Sequence, residues 1–216
     1  MIATDLSVNL IAVSKATHTR QRIIEKAAIV FNQYGYAGSS INDIMQLTGL
    51  QRGGIYNHFK SKDEIALAAF DYTIDLLHKT VMTEMLPKDR AIERLHALID
   101  GFKCFSQHPS IIGGCPILNT AAESDDTHPA LRQRTQAAVN QIRALIGSIV
   151  ELGIRQKEIS ADADGEEVSL VIISTIEGGM MLSKLYGNYG YLDRAAKHLH
   201  DYIDTHDYLM TSSINY

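Results

Sequence analysis

The sequence predicts an all-α chain in which a small three-helix head precedes a larger helical body, and three observations carry that reading. Apolar residues recur at three- and four-residue spacing from Ile23 almost to the last residue, with no alternating stretch that would mark a strand. Residues 39–64, SSINDIMQLTGLQRGGIYNHFKSKDE, place two short helical patterns on either side of a tight turn, the signature of a helix-turn-helix. The chain has 216 residues, 45 % of them hydrophobic and 21 % charged, so a head of about 50 residues leaves enough for a second domain with its own core.

Residues 1–16 read as a mobile arm. The run Leu10 to Val13 lacks the basic flank and small-residue cleavage site of a secretory signal, so a cytoplasmic location is expected. The first helix spans 19–34, where Ile23, Ala27, Val30, Phe31 and Tyr34 form one stripe and Gly35 stands where a helix stops. Arg20 and Arg22 lie in its first turn, unfavourable against the helix dipole unless an anion is nearby.

The second helix starts at Ile41, since Ser40 suits the N-cap and Asp43 stands three residues on, as in a capping box. Gly49 accepts the left-handed conformation of a sharp turn, and Leu50 fills the angle. A third helix over 51–59 buries Ile55 and Phe59 and presents Gln51, Arg52, Gly54, Tyr56 and His58. Gly53 and Gly54 each cost about 1 kcal/mol of helix propensity against Ala, so close approach of another molecule's backbone is expected to favour them. Ser61 and Glu64 suggest a second capping box beside Lys62, closing a head of residues 17–63.

The body, residues 64–216, shows helical patterns at 62–84, 89–107, 116–123, 128–153, 163–186 and 189–210. Pro87, His108-Pro109, Gly113-Gly114, residues 124–129 and Gly187 to Gly190 supply the breaks. No apolar run approaches membrane-spanning length on this reading, so no membrane partner is expected.

The net charge of −5 is unevenly spread. Residues 15–62 hold seven basic residues against Glu25 and Asp43, a local charge of +5, which leaves −10 for the remainder. A cationic end on an acidic body fits nucleic acid as partner. Two cysteines, Cys104 and Cys115, make no disulfide framework. No G-x-S-x-G, H-E-x-x-H, phosphate-loop or dinucleotide pattern appears, which argues against an enzyme and for no cofactor. Metal sensing by Asp125, Asp126 and His128, or by His198, His200 and His206, is the alternative, weakened because i,i+2 histidines diverge on a helix.

In a helix-turn-helix the second of the two helices enters the major groove, where Gln and Arg bond base edges while Tyr, His and Lys reach phosphate. The segments GYAGSSINDI and TGLQRGGIYNHFKSKDE resemble the DNA-binding domain of the tetracycline-repressor (TetR) family, in register and without gaps over residues 19–70. The resemblance implies that Ser39 and Ser40 sit at a phosphate-facing helix end, that Gln51 and Arg52 face bases, and that Tyr56, His58 and Lys62 face the DNA backbone. Arg20, Gly53, Gly54 and Lys60 complete the expected surface. Many members carry Thr or Ser where this chain has Gly54, so base readout rests more on Gln51 and Arg52.

The resemblance further implies a homodimer on a palindromic double-stranded operator and a small-molecule or oxidant effector bound by the body. Recognition helices on one DNA face must sit about 34 Å apart or a multiple of it, which a two-fold dimer supplies. Leu170, Val171, Ile173, Ser174, Gly178 and Met181, with Leu192, Ala195, Ala196, Leu199, Tyr202 and Ile203, suggest the seam. Expected pocket residues are Phe102, Phe105, Cys115, Leu118, Ile142, Ile176, Glu177, Met180 and Tyr186. Cys115 precedes Pro116 at a helix start, where a thiolate would be stabilised, and the G-C-P-I-L-N-T run is similar to a TetR branch that includes cysteine-based sensors. Cys104 reads as core.

Overall fold

A computed structural model describes residues 3–108, 111–124 and 128–205, with backbone alone for 3–14. The described residues form helices and no strand: α1 Ala3–Gly38, α2 Ile41–Thr48, α3 Arg52–Tyr56, α4 Lys62–Met85, α5 Ala91–Ser106, α6 Pro116–Ser124, α7 Pro129–Gln156, α8 Gly165–Tyr186 and α9 Gly190–Thr205. Helical backbone thus begins within the stretch read as an arm. Asp125, Asp126, His206 and the end of the helix expected to reach 210 lie outside the described residues.

Local chemistry accounts for the head. Ser40 caps α2 with its side chain accepting from Asp43 N, and the Asp43 carboxylate accepts from Ser40 N in return. The Ser40 hydroxyl, and after it the Ser40 amide, hold the Asp43 carboxyl below its ordinary pKa. Gly49 ends α2 at φ +67°, the left-handed turn that a Cβ would strain. α3 is shorter than the sequence suggests and stops at Tyr56, leaving His58 and Phe59 in the turn beyond it. The double glycine and the lack of a side-chain cap at Gln51 leave little to extend so short a helix. Ile23, Ala27, Ile44, Ile55, Phe59 and Ile65 nonetheless close a compact core.

The second capping box is only half formed. Ser61 accepts from Glu64 N at 3.1 Å, but the Glu64 carboxylate turns to Lys60 N at 2.7 Å instead of Ser61 N. α4 then serves two cores, giving Ile65 and Ala69 to the head and Ala66, Phe70, Leu77, Val81 and Met85 to the body. The body core continues through Leu95, Leu98, Phe105, Ile146, Ile172, Leu199 and Ile203.

Two expectations change. Leu192, Ala196, Leu199 and Ile203 of α9 are buried in their own body core, so that half of the expected seam is intramolecular. α8 keeps an open face, with Leu170, Met181 and Leu185 exposed beside Ser174 and Gly178. α7 and α8 also hold windows long and apolar enough to cross a membrane by length and composition, contrary to the sequence reading. Both pack in the bundle, and Arg143 and Glu151 sit on α7 as Lys184 does on α8.

Candidate nucleic-acid interface

The head presents a contiguous exposed surface built from three elements. Gln51 and Arg52 open α3, both exposed, and the Arg52 Nη2 donates to Asn42 Oδ1 of α2 at 3.2 Å. That bond holds the guanidinium across the front of the two helices. Gly53 is exposed, and a Cβ added there would meet nothing within 4 Å. The fold itself therefore does not require Gly53, while at Gly54 a Cβ would make only ordinary contact with Leu50. Tyr56 is 43 % exposed, His58 is half-buried and Lys60 is exposed. Arg20 flanks them from α1, its guanidinium 4.6 Å from the centre of the Phe59 ring.

Two expected phosphate ligands turn inward. The Ser39 hydroxyl is buried and donates to Gly35 O and Val30 O of α1, while Ser40 stays at the exposed cap of α2. The Lys62 ammonium donates to Tyr36 O and lies 4.2 Å from the centre of the Tyr36 ring. Gly35 leaves orphan carbonyls at the end of α1, which both side chains satisfy. Local spacing could not reveal the Lys62 bond, because its partner is 26 residues away.

Gly35 is also the centre of the joint between head and body. At φ +75° it breaks α1 and frees the next two amides. Glu123, at the far end of α6, accepts both, from Tyr36 N and Ala37 N at 2.6 Å each. Closer to the other end of α6, Asn119 Nδ2 donates to Asn32 Oδ1 at 2.9 Å and to Gly113 O at 2.8 Å. Asn32 Nδ2 in turn donates to Ile112 O and Gly114 O. Tyr36 completes the joint, donating its hydroxyl to Asp63 and packing edge-on to the His128 ring at 4.7 Å. Burial, then Asp63, pushes the Tyr36 phenol up to about 12. Sequence reasoning missed Asn32, Asn119 and Glu123 as residues of this joint, and the one signal for Asn32 was a polar residue within the span of the apolar stripe, directly after Phe31.

The opposite end of α6 meets a half-buried acid, Glu177. Cys115 precedes Pro116 as expected, but it is buried and its Sγ lies 2.9 Å from Glu177 Oε1. Burial and the neighbouring carboxylate raise the thiol well above its ordinary pKa, outweighing the amides of Ile117 and Leu118. The reactive-thiolate reading is therefore reversed, and Cys104, expected in the core, is exposed. Alkylation by iodoacetamide near neutral pH, followed by mass spectrometry, is expected to modify Cys104 more than about tenfold faster than Cys115. Equal rates would contradict this environment.

Glu177 shares a narrow, nearly filled crevice with Phe102, Ile117, Val139, Ile142, Ile172, Ile173 and Ile176. Of the expected pocket residues, Phe102, Ile142, Ile176 and Glu177 line it and Cys115 touches Glu177. Phe105 is fully buried core, Leu118 packs against that core, and Met180 lines a different groove near Gly113 and Tyr189. Tyr186 is exposed and stacks on Tyr191. Of the metal alternative, His198 is exposed, His200 stacks on His96 and bonds Asp100, and His128 caps α7.

Residues 23–69 match the pattern described as bacterial regulatory proteins, tetR family, and residues 91–199 match the tetracyclin repressor-like C-terminal domain. A TetR transcriptional regulator from Chloroflexus aurantiacus J-10-FL is 40 % identical and superposes with a TM-score of 0.86 over 92 % of this chain and 100 % of that one. A TetR-family regulator from Cytophaga hutchinsonii is 32 % identical, with a TM-score of 0.79 over 88 % of this chain and 95 % of its own. The HTH-type transcriptional regulator LmrA of Bacillus subtilis is 26 % identical over 76 % of this chain and 86 % of LmrA.

Proposed function

The chain belongs to the tetR family of DNA-binding transcriptional regulators, and from that membership we propose that it is a cytoplasmic homodimeric repressor released by a small molecule. Gln51 and Arg52 read bases, and Tyr56, His58, Lys60, Arg20 and Ser40 hold phosphates on either side. Gly53 lets the start of α3 come close to the DNA backbone. The open face of α8, from Leu170 through Ser174, Gly178 and Met181 to Leu185, pairs with its copy, and α9 flanks that contact.

The observation that carries the regulatory part is the double attachment of α6. Its first residues follow Cys115, which bonds Glu177 in the body, and its last turn holds the head through Glu123. A ligand that displaces the start of α6 changes the placement of the head on the body. In a dimer this alters the spacing of two α3 helices, and a coupling of about 2.7 kcal/mol would weaken operator binding 100-fold. A redox signal through Cys115 has no support in its buried, protonated thiol.

The test is selection of bound fragments from the source genome, followed by titration of the recovered duplex and measurement of the mass of the complex. The expected result is a palindromic site bound by two chains. Absence of any preferred duplex at moderate salt, or a single chain bound to one half-site, would overturn the proposal.

A further inference from the structure

The crevice beneath α6 is apolar except for one group. Phe102 of α5, Ile117 of α6, Val139 and Ile142 of α7, and Ile172, Ile173 and Ile176 of α8 form its wall, and Glu177 is the only polar residue lining it. The Glu177 carboxylate uses one oxygen, Oε1, to accept from the Cys115 thiol. Its other oxygen, Oε2, is sealed from solvent and has no hydrogen-bond partner among the described residues. A carboxylate oxygen in that position costs several kcal/mol unless a donor or a positive charge meets it.

The crevice is too narrow for a drug-sized ligand, but it is not isolated. Phe102 and Ile142 also line an open groove between α4, α5 and α7, walled by Ile74, Leu77, Val81 and Leu98 together with Asp75, His78 and Gln141. These two side chains are the wall between the two spaces. Rotation of either would join this mixed apolar and polar groove to the Glu177 carboxylate.

We infer that Glu177 is the anchoring acid of an effector site selective for a protonated amine carrying a compact hydrocarbon body. The ammonium donates to Oε2 and pairs with the charge, the Phe102 ring and the isoleucines cover the hydrocarbon, and the groove admits it. A neutral donor would meet the hydrogen bond but leave the charge uncompensated, and an anion would be repelled. The inference rests on the reading of the body as an effector-binding domain and adds the chemical class. The ligand also acts where the switch needs it, since an ammonium drawing on Glu177 competes with the Cys115 thiol that anchors the start of α6.

Burial pushes the Glu177 carboxyl up to about 6, opposed by the bond from Cys115. Cys115 is the titratable group in contact with it, the other crevice residues from α5, α6 and α7 are uncharged, and Asp75 and His78 of α4 line the neighbouring groove, so the Glu177→Gln variant is the control for their titration. Near pH 7 the group is largely ionised and receptive. As pH falls through about 6 the proton competes with the amine, and affinity drops.

The experiment uses the full chain and three matched probes: 2-phenylethylamine, its alcohol analogue 2-phenylethanol and its anionic analogue 3-phenylpropanoate. Titration calorimetry at pH 7 is expected to rank the amine first and the anion last. Glu177→Gln, which keeps the shape and removes the charge, is expected to weaken amine binding by about 10- to 100-fold while changing alcohol binding by less than about threefold. Glu177→Asp keeps the charge and is expected to retain the preference for the amine at reduced affinity. Lowering the pH to about 5 is expected to weaken the amine in wild type and leave it level in Glu177→Gln.

Failure of the amine to bind, or equal amine affinity in wild type and in a folded Glu177→Gln, would overturn the inference. If the alcohol binds better than the amine and releases operator DNA, the ligand class is wrong and the effector reading survives. If the amine binds through Glu177 but operator affinity does not move, the anchoring acid stands and the effector reading falls.

Discussion

Replacing Gln51 and Arg52 together by alanine is expected to remove most of the protein's sequence preference while leaving it able to bind duplex DNA. Both side chains are exposed at the start of α3, and Asn42 holds the Arg52 guanidinium in place. A well-placed contact to a base edge discriminates by about 1–3 kcal/mol, so each loss lowers the ratio of preferred to scrambled duplex by roughly 10- to 100-fold. The double variant compounds them. Non-specific binding comes from the cationic groups that remain, Arg20 and Lys60 among them, and keeps its dependence on salt. Fluorescence anisotropy with both duplexes at one salt concentration gives the ratio directly. If affinity for both duplexes fell by the same factor, Gln51 and Arg52 would be phosphate ligands and base readout would lie elsewhere.

Glu123→Ala is expected to give the second large effect, on stability and on coupling together. The variant leaves Tyr36 N and Ala37 N without the carboxylate that accepts from both at 2.6 Å. Charge-assisted bonds of this kind are worth about 1.5–3 kcal/mol each, and partial solvent access at Ala37 reduces the sum, so a loss of about 2–4 kcal/mol is expected. Denaturant unfolding followed by circular dichroism measures it. Glu123→Gln keeps one accepting oxygen and is expected to recover about half of that loss. The functional consequence separates this residue from an ordinary stabilising contact. With α6 tied to α1 only through the Asn119–Asn32 bonds, a probe that binds in the body is expected to change operator affinity less than in wild type. Unchanged stability together with intact coupling would show that the head is held to the body by other contacts.

Much of the head was legible because its determinants are close together in the chain. Ser40 and Asp43 are three residues apart, Gly49 follows directly on α2, and Ile41 and Ile44 recur at an interval fixed by the helical repeat. The body helices were legible for the same reason, with breaks at proline and glycine. The candidate site was legible only on its exposed side. Gln51, Arg52 and Tyr56 are found at the surface, whereas Ser39 and Lys62 turn to carbonyls exposed by the break in α1 at Gly35.

The joint and the crevice lay beyond local reasoning. Glu123 reaches Tyr36 across 87 residues of chain, Asn119 reaches Asn32 across a similar distance, and Cys115 meets Glu177 across 62. A helix start predicts a depressed thiol pKa, yet the carboxylate and the burial supplied by α8 raise it instead. The apolar stripe of α9 was correctly recognised as a packing face, but periodicity says only that such a face is buried, not against which chain.

By itself, then, the order of residues determined the helices, their caps and turns, the cationic head and the family, because each depends on interactions within a few residues or on a motif read in register. Tertiary structure alone decided which oxygen Lys62 would seek, which cysteine would be exposed, which helix face would remain open and which acid would be left with an unmet oxygen. Those outcomes are set by burial and by partners brought together from distant parts of the chain, and no local spacing encodes either.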